Sequence, residues 1–330
     1  MRLIFAMTAG LVAFLTQISS GWAADVQLNF AHNGGPGSLY EACANEFAAR
    51  VNTKLPAGYK LVAVGDSHLG DNTAILDKIR RGEITMGLSS TSMSVVSDKF
   101  GIFELPFLIR DRAQIQKVSQ PLLDQYLQPE ALKKGYRILA IWENGFRHIT
   151  NNVRPIKQPE DLRGVKIRIP KGPWREKMFR ALGAEPIPMA LHETYAALRS
   201  NAIDGEENPL QQIKGSKFSE VQRYLTISEH VYTPAYVVVG EEPFSGLPIA
   251  VQQILASSAV EMQGWVYQTA VHIESNLVDD LTEQMQTNQL DIKAFTASTR
   301  PLYGEFIKTV EGGAKMLELV TGMTESEGLR

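Results

Sequence analysis

Val26-Gln27-Leu28-Asn29-Phe30-Ala31 alternates apolar and polar side chains, so it reads as a β-strand. Asn33-Gly34-Gly35-Pro36-Gly37 breaks it, and Ser38 is placed to cap a helix running to about Val51, with Leu39, Ala42, Cys43 and Phe47 at helical spacing. Lys60-Leu61-Val62-Ala63-Val64 is a second strand. Asp71 or Asn72 then opens a helix with Ile75, Leu76 and Ile79 inward. Gly82 ends that helix, and Ile84-Thr85-Met86-Gly87-Leu88 is a third strand. Strand, helix, strand, helix, strand predicts βαβ units and a largely parallel sheet.

Working outward, Gly101 to Ile109 is apolar and interrupted by Pro106, which predicts a packed connecting loop. A helix from about Ala113 to Lys134 leads into a strand at Tyr136–Trp142. A second unit begins near Arg147, where His148 to Asn151 stays extended. Pro159–Leu162 is a helical turn, Gly164–Pro170 a strand stopped by proline, and Trp174–Leu182 a helix with Gly183 beyond its end. Pro186–Met189 is extended, His192–Arg199 a helix with Tyr195 and Leu198 inward, and Ala202–Glu206 a short strand. Tyr236–Gly240 is a buried strand, and most of the chain from about Pro248 reads as long helices. The expected fold is α/β, two lobes with the chain crossing between them more than once, near residues 147 and 237.

The chain has 330 residues, 44% hydrophobic and 21% charged, enough for two domains with a sizeable core. A net charge of −3 offers no basic footprint, which counts against nucleic acid as a partner. Met1-Arg2, the mostly apolar Leu3–Ile18 and the small residues up to Ala24 predict a cleavable export signal over residues 1–24. No later stretch is apolar for long enough to cross a membrane, so the expected location is the periplasm of a bacterium. Cys43 is the single cysteine, which leaves no internal disulfide; its apolar neighbours predict a buried, inert thiol.

Enzyme motifs are missing. Neither a phosphate loop, nor a dinucleotide turn, nor a nucleophile elbow is present, and no two histidines stand at metal-ligand spacing on a helix. Neither a metal nor a cofactor is expected. Glu206 and Glu207 are neighbours on a strand and point to opposite faces, so they are not a shared acid–base pair. The most informative residue is Arg168. Val165, Ile167 and Ile169 face one way on its strand; Lys166 and Arg168 face the other, and Pro170 ends the strand. Ligands of open α/β sheets bind beyond the carboxyl ends of strands, and a guanidinium offers a carboxylate a two-pronged fit. The plain alternative is a surface arginine paired with a nearby acid. Arg147 also follows a strand, and Asn208 follows another and precedes Pro209. Trp174 and Phe103 are candidates either to wall an apolar part of a ligand or to pack in the core.

At these residues the chain resembles the solute receptors of TRAP transporters, the DctP family. Pro159 to Pro170 is similar to the family's strand carrying its ligand arginine. Ala181–Met189, Glu193–Leu198 and Asp204-Gly205-Glu206-Glu207-Asn208-Pro209 follow in the expected order, with His68–Asn72 and Glu104–Phe107 upstream. The resemblance covers roughly residues 25 to 310. It implies two α/β lobes around a hinge, a long helix spanning both, and a ligand cleft that closes. Lobe I is expected over 25–147 plus about 237–275, and lobe II over 148–236 plus about 276–330 with the spanning helices. By the resemblance Arg168 bridges a ligand carboxylate, Asn208 bonds the same group, and Arg147 is a second basic residue in the pocket. Asn33 and Ser90, just past the first and third strands, complete the expected ligand site with Trp174, which is placed to stack on a planar ligand. Glu206-Glu207, Ser200-Asn201 and Lys171-Gly172-Pro173-Trp174 depart from the common family pattern, which leaves the rest of the ligand open: dicarboxylate, sugar acid, 2-oxo acid or aromatic acid. The implied partners are a small organic acid and the small and large membrane subunits of the permease, with the receptor a monomer and no catalyst. The alternatives are a receptor for an ABC permease or chemoreceptor, and a periplasmic enzyme acting on organic acids.

Overall fold

The computed structural model describes residues 26–322; the expected export signal lies outside them. The predicted opening forms as β1 (Val26–Ala31), α1 (Leu39–Asn52), β2 (Tyr59–Val64), α2 (Asn72–Arg80) and β3 (Met86–Ser89). The caps are those the sequence offers. Ser38 Oγ accepts from the Glu41 amide, and Asp71 Oδ1 accepts from the Ala74 amide at 2.8 Å. β1 pairs with β2 and β3 in parallel, as βαβ units require.

A short α3 (Met93–Val96) and a buried 3₁₀ segment over Asp98–Glu104 follow. The expected single helix to Lys134 is α4 (Arg112–Leu122) and α5 (Gln128–Lys133), joined by a π-turn over Leu123–Leu127. Pro121 and Pro129 fall in this stretch, and each removes an amide donor from the helical ladder.

The largest departure from expectation is β4 (Tyr136–Asn151). The sequence suggests a strand ending at Trp142 and a new unit near Arg147; the structure has one strand of 16 residues, about 50 Å at ordinary strand rise. The polar break Glu143-Asn144-Gly145 is absorbed by bulges, with register shifts at Glu143/Gly145 and Arg147/Ile149. Gly145 takes φ +117° there, a conformation that favours glycine.

After the turn at Pro159–Leu162 come β5 (Lys166–Ile169), α6 (Pro173–Ala181), β6 (Glu185–Pro188), α7 (Leu191–Arg199), β7 (Gly205–Asn208) and α8 (Leu210–Gly215). β7 starts later than its expected position at Ala202. On α7 Leu198 is buried as expected, while Tyr195 stays half-exposed and bonds Glu220 from the surface. β8 (Tyr224–Gly240) is a second long strand, of which only the apolar end is evident in the sequence. The remainder is α9 (Glu241–Ser245), α10 (Ile249–Glu261), α11 (Gln263–Gln284), a polar edge strand β9 (Gln286–Gln289), α12 (Ile292–Thr299), α13 (Pro301–Thr309) and α14 (Gly313–Thr321).

The strands form one sheet in the order β2-β1-β3-β8-β4-β7-β5-β6, with β9 beside β8. Parallel triplets lie at both ends, β5 pairing with β6 and β7 as β1 does with β2 and β3. The antiparallel pair β4 and β8 runs through the middle and belongs to both halves. In the first half Phe30, Phe47 and Trp142 pack edge to face with centroids 5.3 to 6.0 Å apart. The Trp142 indole N–H reaches the Ala259 carbonyl at 2.8 Å. In the second half Trp174 packs on Phe306. α11 buries Val266 and Ala270 against the first core and Leu281 against a cluster under α8. It therefore spans both halves.

Candidate functional site

The carboxyl ends of the two parallel triplets face each other across the middle of the sheet. From the first half come Asn33, just past β1, Ser90, just past β3, and Asn72, the first residue of α2. From the second come Arg168 on β5 and Asn208 at the end of β7, with Asn144 and Arg147 from β4 between them. They enclose two adjoining cavities of about 30 Å³ each. Asn33, Asn72, Arg168, Pro170 and Leu191 line both. The cavity toward Arg147 adds Tyr40, Ser90, Thr91, Asn144, Asn208 and Gln212; the one toward Lys171 adds Ser67, Asp71 and Ser92.

Five of the six residues singled out in the sequence, Arg168, Asn208, Arg147, Asn33 and Ser90, thus line one cavity. Trp174 does not. It lies in the core with 2% of its surface exposed, its ring on Phe306 at 5.1 Å and the Lys177 ammonium over its face at 4.4 Å. The physical reason is its helix: Trp174 opens α6 on the face turned inward, and Gly101 packs so closely that a Cβ there would lie 2.3 Å from the indole. Phe103 is also core, against Tyr236.

Arg168 is 3% exposed. Its strand buries Ile167 and Ile169 on the core face, as the alternation requires, and turns the guanidinium to the cavities. Nε and Nη2 donate to the Met189 carbonyl at 2.9 and 2.7 Å. Among the described residues no carboxylate lies within 4 Å of it. Burial pulls its pKa down to about 10, against the more distant pull of Glu206 and Glu207.

Around it Arg147, Arg175, Glu104 and Glu207 are paired. Arg147 grips Glu207 with Nε at 2.5 Å and Nη2 at 3.0 Å, and Nη2 also donates to Asn208 Oδ1 at 3.0 Å. Arg175, fully buried on α6, bridges Glu207 at 2.5 Å and Glu104 at 2.7 Å. Burial alone would raise Glu207, but Arg147 and Arg175 outweigh it and hold the carboxyl below the usual range. Glu206, on the opposite face of β7, bonds Asn208 Nδ2 and Thr150 Oγ1 instead, and burial lifts it to about 7. The Asn208 amide is therefore clamped from both sides, its oxygen by Arg147 and its nitrogen by Glu206.

The sequence does not mark Arg175, Glu104 or Asn72 as site residues. Arg175 adjoins Trp174 on the same helix, and a charge inside an inward-facing turn was its one available signal. Asn72 reads in the sequence only as a possible helix start. The geometry is a cleft between two half-sheets, lined by amides and hydroxyls, with the Arg168 guanidinium held by the Met189 carbonyl.

Comparison with known proteins is decisive on the family. The model of the DctP family, bacterial extracellular solute-binding protein, family 7, matches residues 30–309. The chain belongs to this family. It is 34% identical over 316 residues to the 2,3-diketo-L-gulonate-binding periplasmic protein YiaO of Escherichia coli K12, covering 94% of this chain and 95% of that one. A TRAP periplasmic solute binding protein from Bordetella bronchispeptica superimposes with a TM-score of 0.84 at 31% identity, covering 89% of this chain and 98% of that one. A second, from Polaromonas sp. JS666 bound to D-erythronate, gives a TM-score of 0.84 at 29% identity over 89% and 97%. The DctP-family chain thus has the two-lobed fold of the TRAP solute-binding proteins, and these relatives are binding proteins.

Proposed function

We propose that this DctP-family chain is exported to the periplasm, captures a small organic acid between its lobes and delivers it to the small and large membrane subunits of a TRAP permease, acting as a monomer and without catalysis. The observation that carries the reading is Arg168: a buried guanidinium with no carboxylate partner within 4 Å among the described residues. A desolvated, unneutralised charge is costly, so a ligand carboxylate that pairs with it gains more than it would at the surface. Asn208 and Arg147 support the same end of the ligand. Lobe I over 25–147 plus about 237–275 and lobe II over 148–236 plus about 276–330 would close on it by flexing β4 and β8 at their register breaks.

The test is thermal unfolding of the chain from Asp25 against a panel of organic acids and neutral analogues, with Arg168→Ala alongside. A ligand at about a hundred times its Kd adds roughly 2.7 kcal/mol to folded-state stability. An acid that raises the melting temperature of the parent and not of the variant supports the reading. Equal response to neutral compounds, or an unchanged response in the variant, removes it.

A further inference from the structure

We infer that the ligand of this cleft is a polyhydroxylated monocarboxylate: one carboxylate on a short carbon chain that carries hydroxyl groups. The inference rests on the receptor reading above and narrows it.

Charge balance gives the single carboxylate. Among the described residues Arg168 is the one buried cation in the cavity wall without a carboxylate partner within 4 Å. Arg147 is neutralised by Glu207. Lys171, the remaining cation of the lining, has a side chain 54% exposed and already faces Asp71 at 3.7 Å. A second ligand carboxylate would be desolvated against neutral amides with no unpaired buried charge to meet it.

Unpartnered polar atoms give the hydroxyls. Among the described residues neither Asn72 Oδ1 nor Thr91 Oγ1, both buried, has a hydrogen-bond partner, and both residues line the cavity from the half opposite Arg168. An amide oxygen only accepts, so it needs a donor. A carboxylate has no donor to give and a hydrocarbon chain none either; a ligand hydroxyl has one. The Thr91 hydroxyl accepts or donates and fits the same partner. With Ser90 beside them, this wall matches a chain of hydroxyls whose acid end lies at Arg168.

The experiment is calorimetric titration of the chain with D-erythronate, D-xylonate, D-gluconate, D-galactonate and L-gulonate, and with hexanoate, succinate, benzoate and D-glucitol as controls. Arg168→Ala and Asn72→Leu are titrated in parallel, and the melting temperature of each unliganded variant verifies its fold. The best hydroxy acid should bind at least about thirtyfold tighter than hexanoate, succinate or benzoate, because each would leave buried acceptors unpaired. Asn72→Leu should weaken that acid about tenfold and leave hexanoate unmoved. Should succinate, benzoate or hexanoate equal the best hydroxy acid with binding still dependent on Arg168, this inference falls and the receptor reading stands. Should no acid bind, or D-glucitol bind as well as the acids, both fall together.

Discussion

Arg147 Nη2 donates to Asn208 Oδ1 at 3.0 Å while the same guanidinium holds Glu207, so one of the two arginines in the cleft is committed to positioning the amide beside the other. Arg168 has no such commitment, and the two residues answer differently to removal.

Arg168→Met should abolish acid binding yet leave the unliganded melting temperature unchanged or higher, because it removes a desolvated charge with no carboxylate within 4 Å among the described residues. Arg147→Met should lower stability, by up to about 3–5 kcal/mol, since it leaves Glu207 with Arg175 as its one arginine partner and frees Asn208. Chemical denaturation of both variants without ligand checks the contrast; equal losses would contradict it.

Glu206 makes stability depend on pH in an unusual direction. Its folded pKa of about 7 lies above the unfolded value. The folded state therefore binds the extra proton between about pH 4.5 and 7, and this group's contribution is fully present below that window and lost as pH rises through it. Glu206→Gln should remove up to about 3 kcal/mol of that decline. Denaturation curves of parent and variant across the window measure it, and parallel profiles would refute it.

Gly205 and Gly264 should respond oppositely to alanine. A Cβ on Gly205 would lie 2.2 Å from the Thr150 carbonyl oxygen, in the backbone of β4, and would push β7 off its partner together with Glu206, Glu207 and Asn208. Gly205→Ala should cost several times the roughly 1 kcal/mol that Gly264→Ala, open to solvent within α11, should add. Thermal unfolding of the two variants distinguishes them.

Trp174→Ala should destabilise by about 3–5 kcal/mol through the cavity it leaves against Phe306. Ligand affinity of the folded protein should not change. A selective loss of affinity for one class of acid would restore the residue to the site.

The sequence makes the ends of this sheet legible and its middle obscure. β1 and β5 read as strands from their apolar alternation; for Arg168 that pattern leaves a surface ion pair open, and the resemblance to the family assigns it to the cleft. β4 and β8 are buried on both faces around a network of charges, so Glu143-Asn144-Gly145 and Ser228-Glu229-His230 look like loops when they are strand. The pairing of Arg175 with Glu104 and Glu207 joins residues distant in sequence, and no local pattern encodes it. Trp174 and Arg175 show the limit most closely: adjacent residues, one in the core and one in the charge network, separated only by which face of α6 each occupies.

Because β4 and β8 are common to both halves, neither lobe is complete as a continuous piece of chain. Tyr136 waits for Gly240, and Asn151 for Tyr224. A ribosome that has released the chain through Asn208 has made β4, β5, β6 and β7 of the cleft's arginine half but not β8, which fastens it to the rest. A fragment stopping there should expose a long unpaired β4 edge, prone to pairing with other chains; the complete chain seals that edge last.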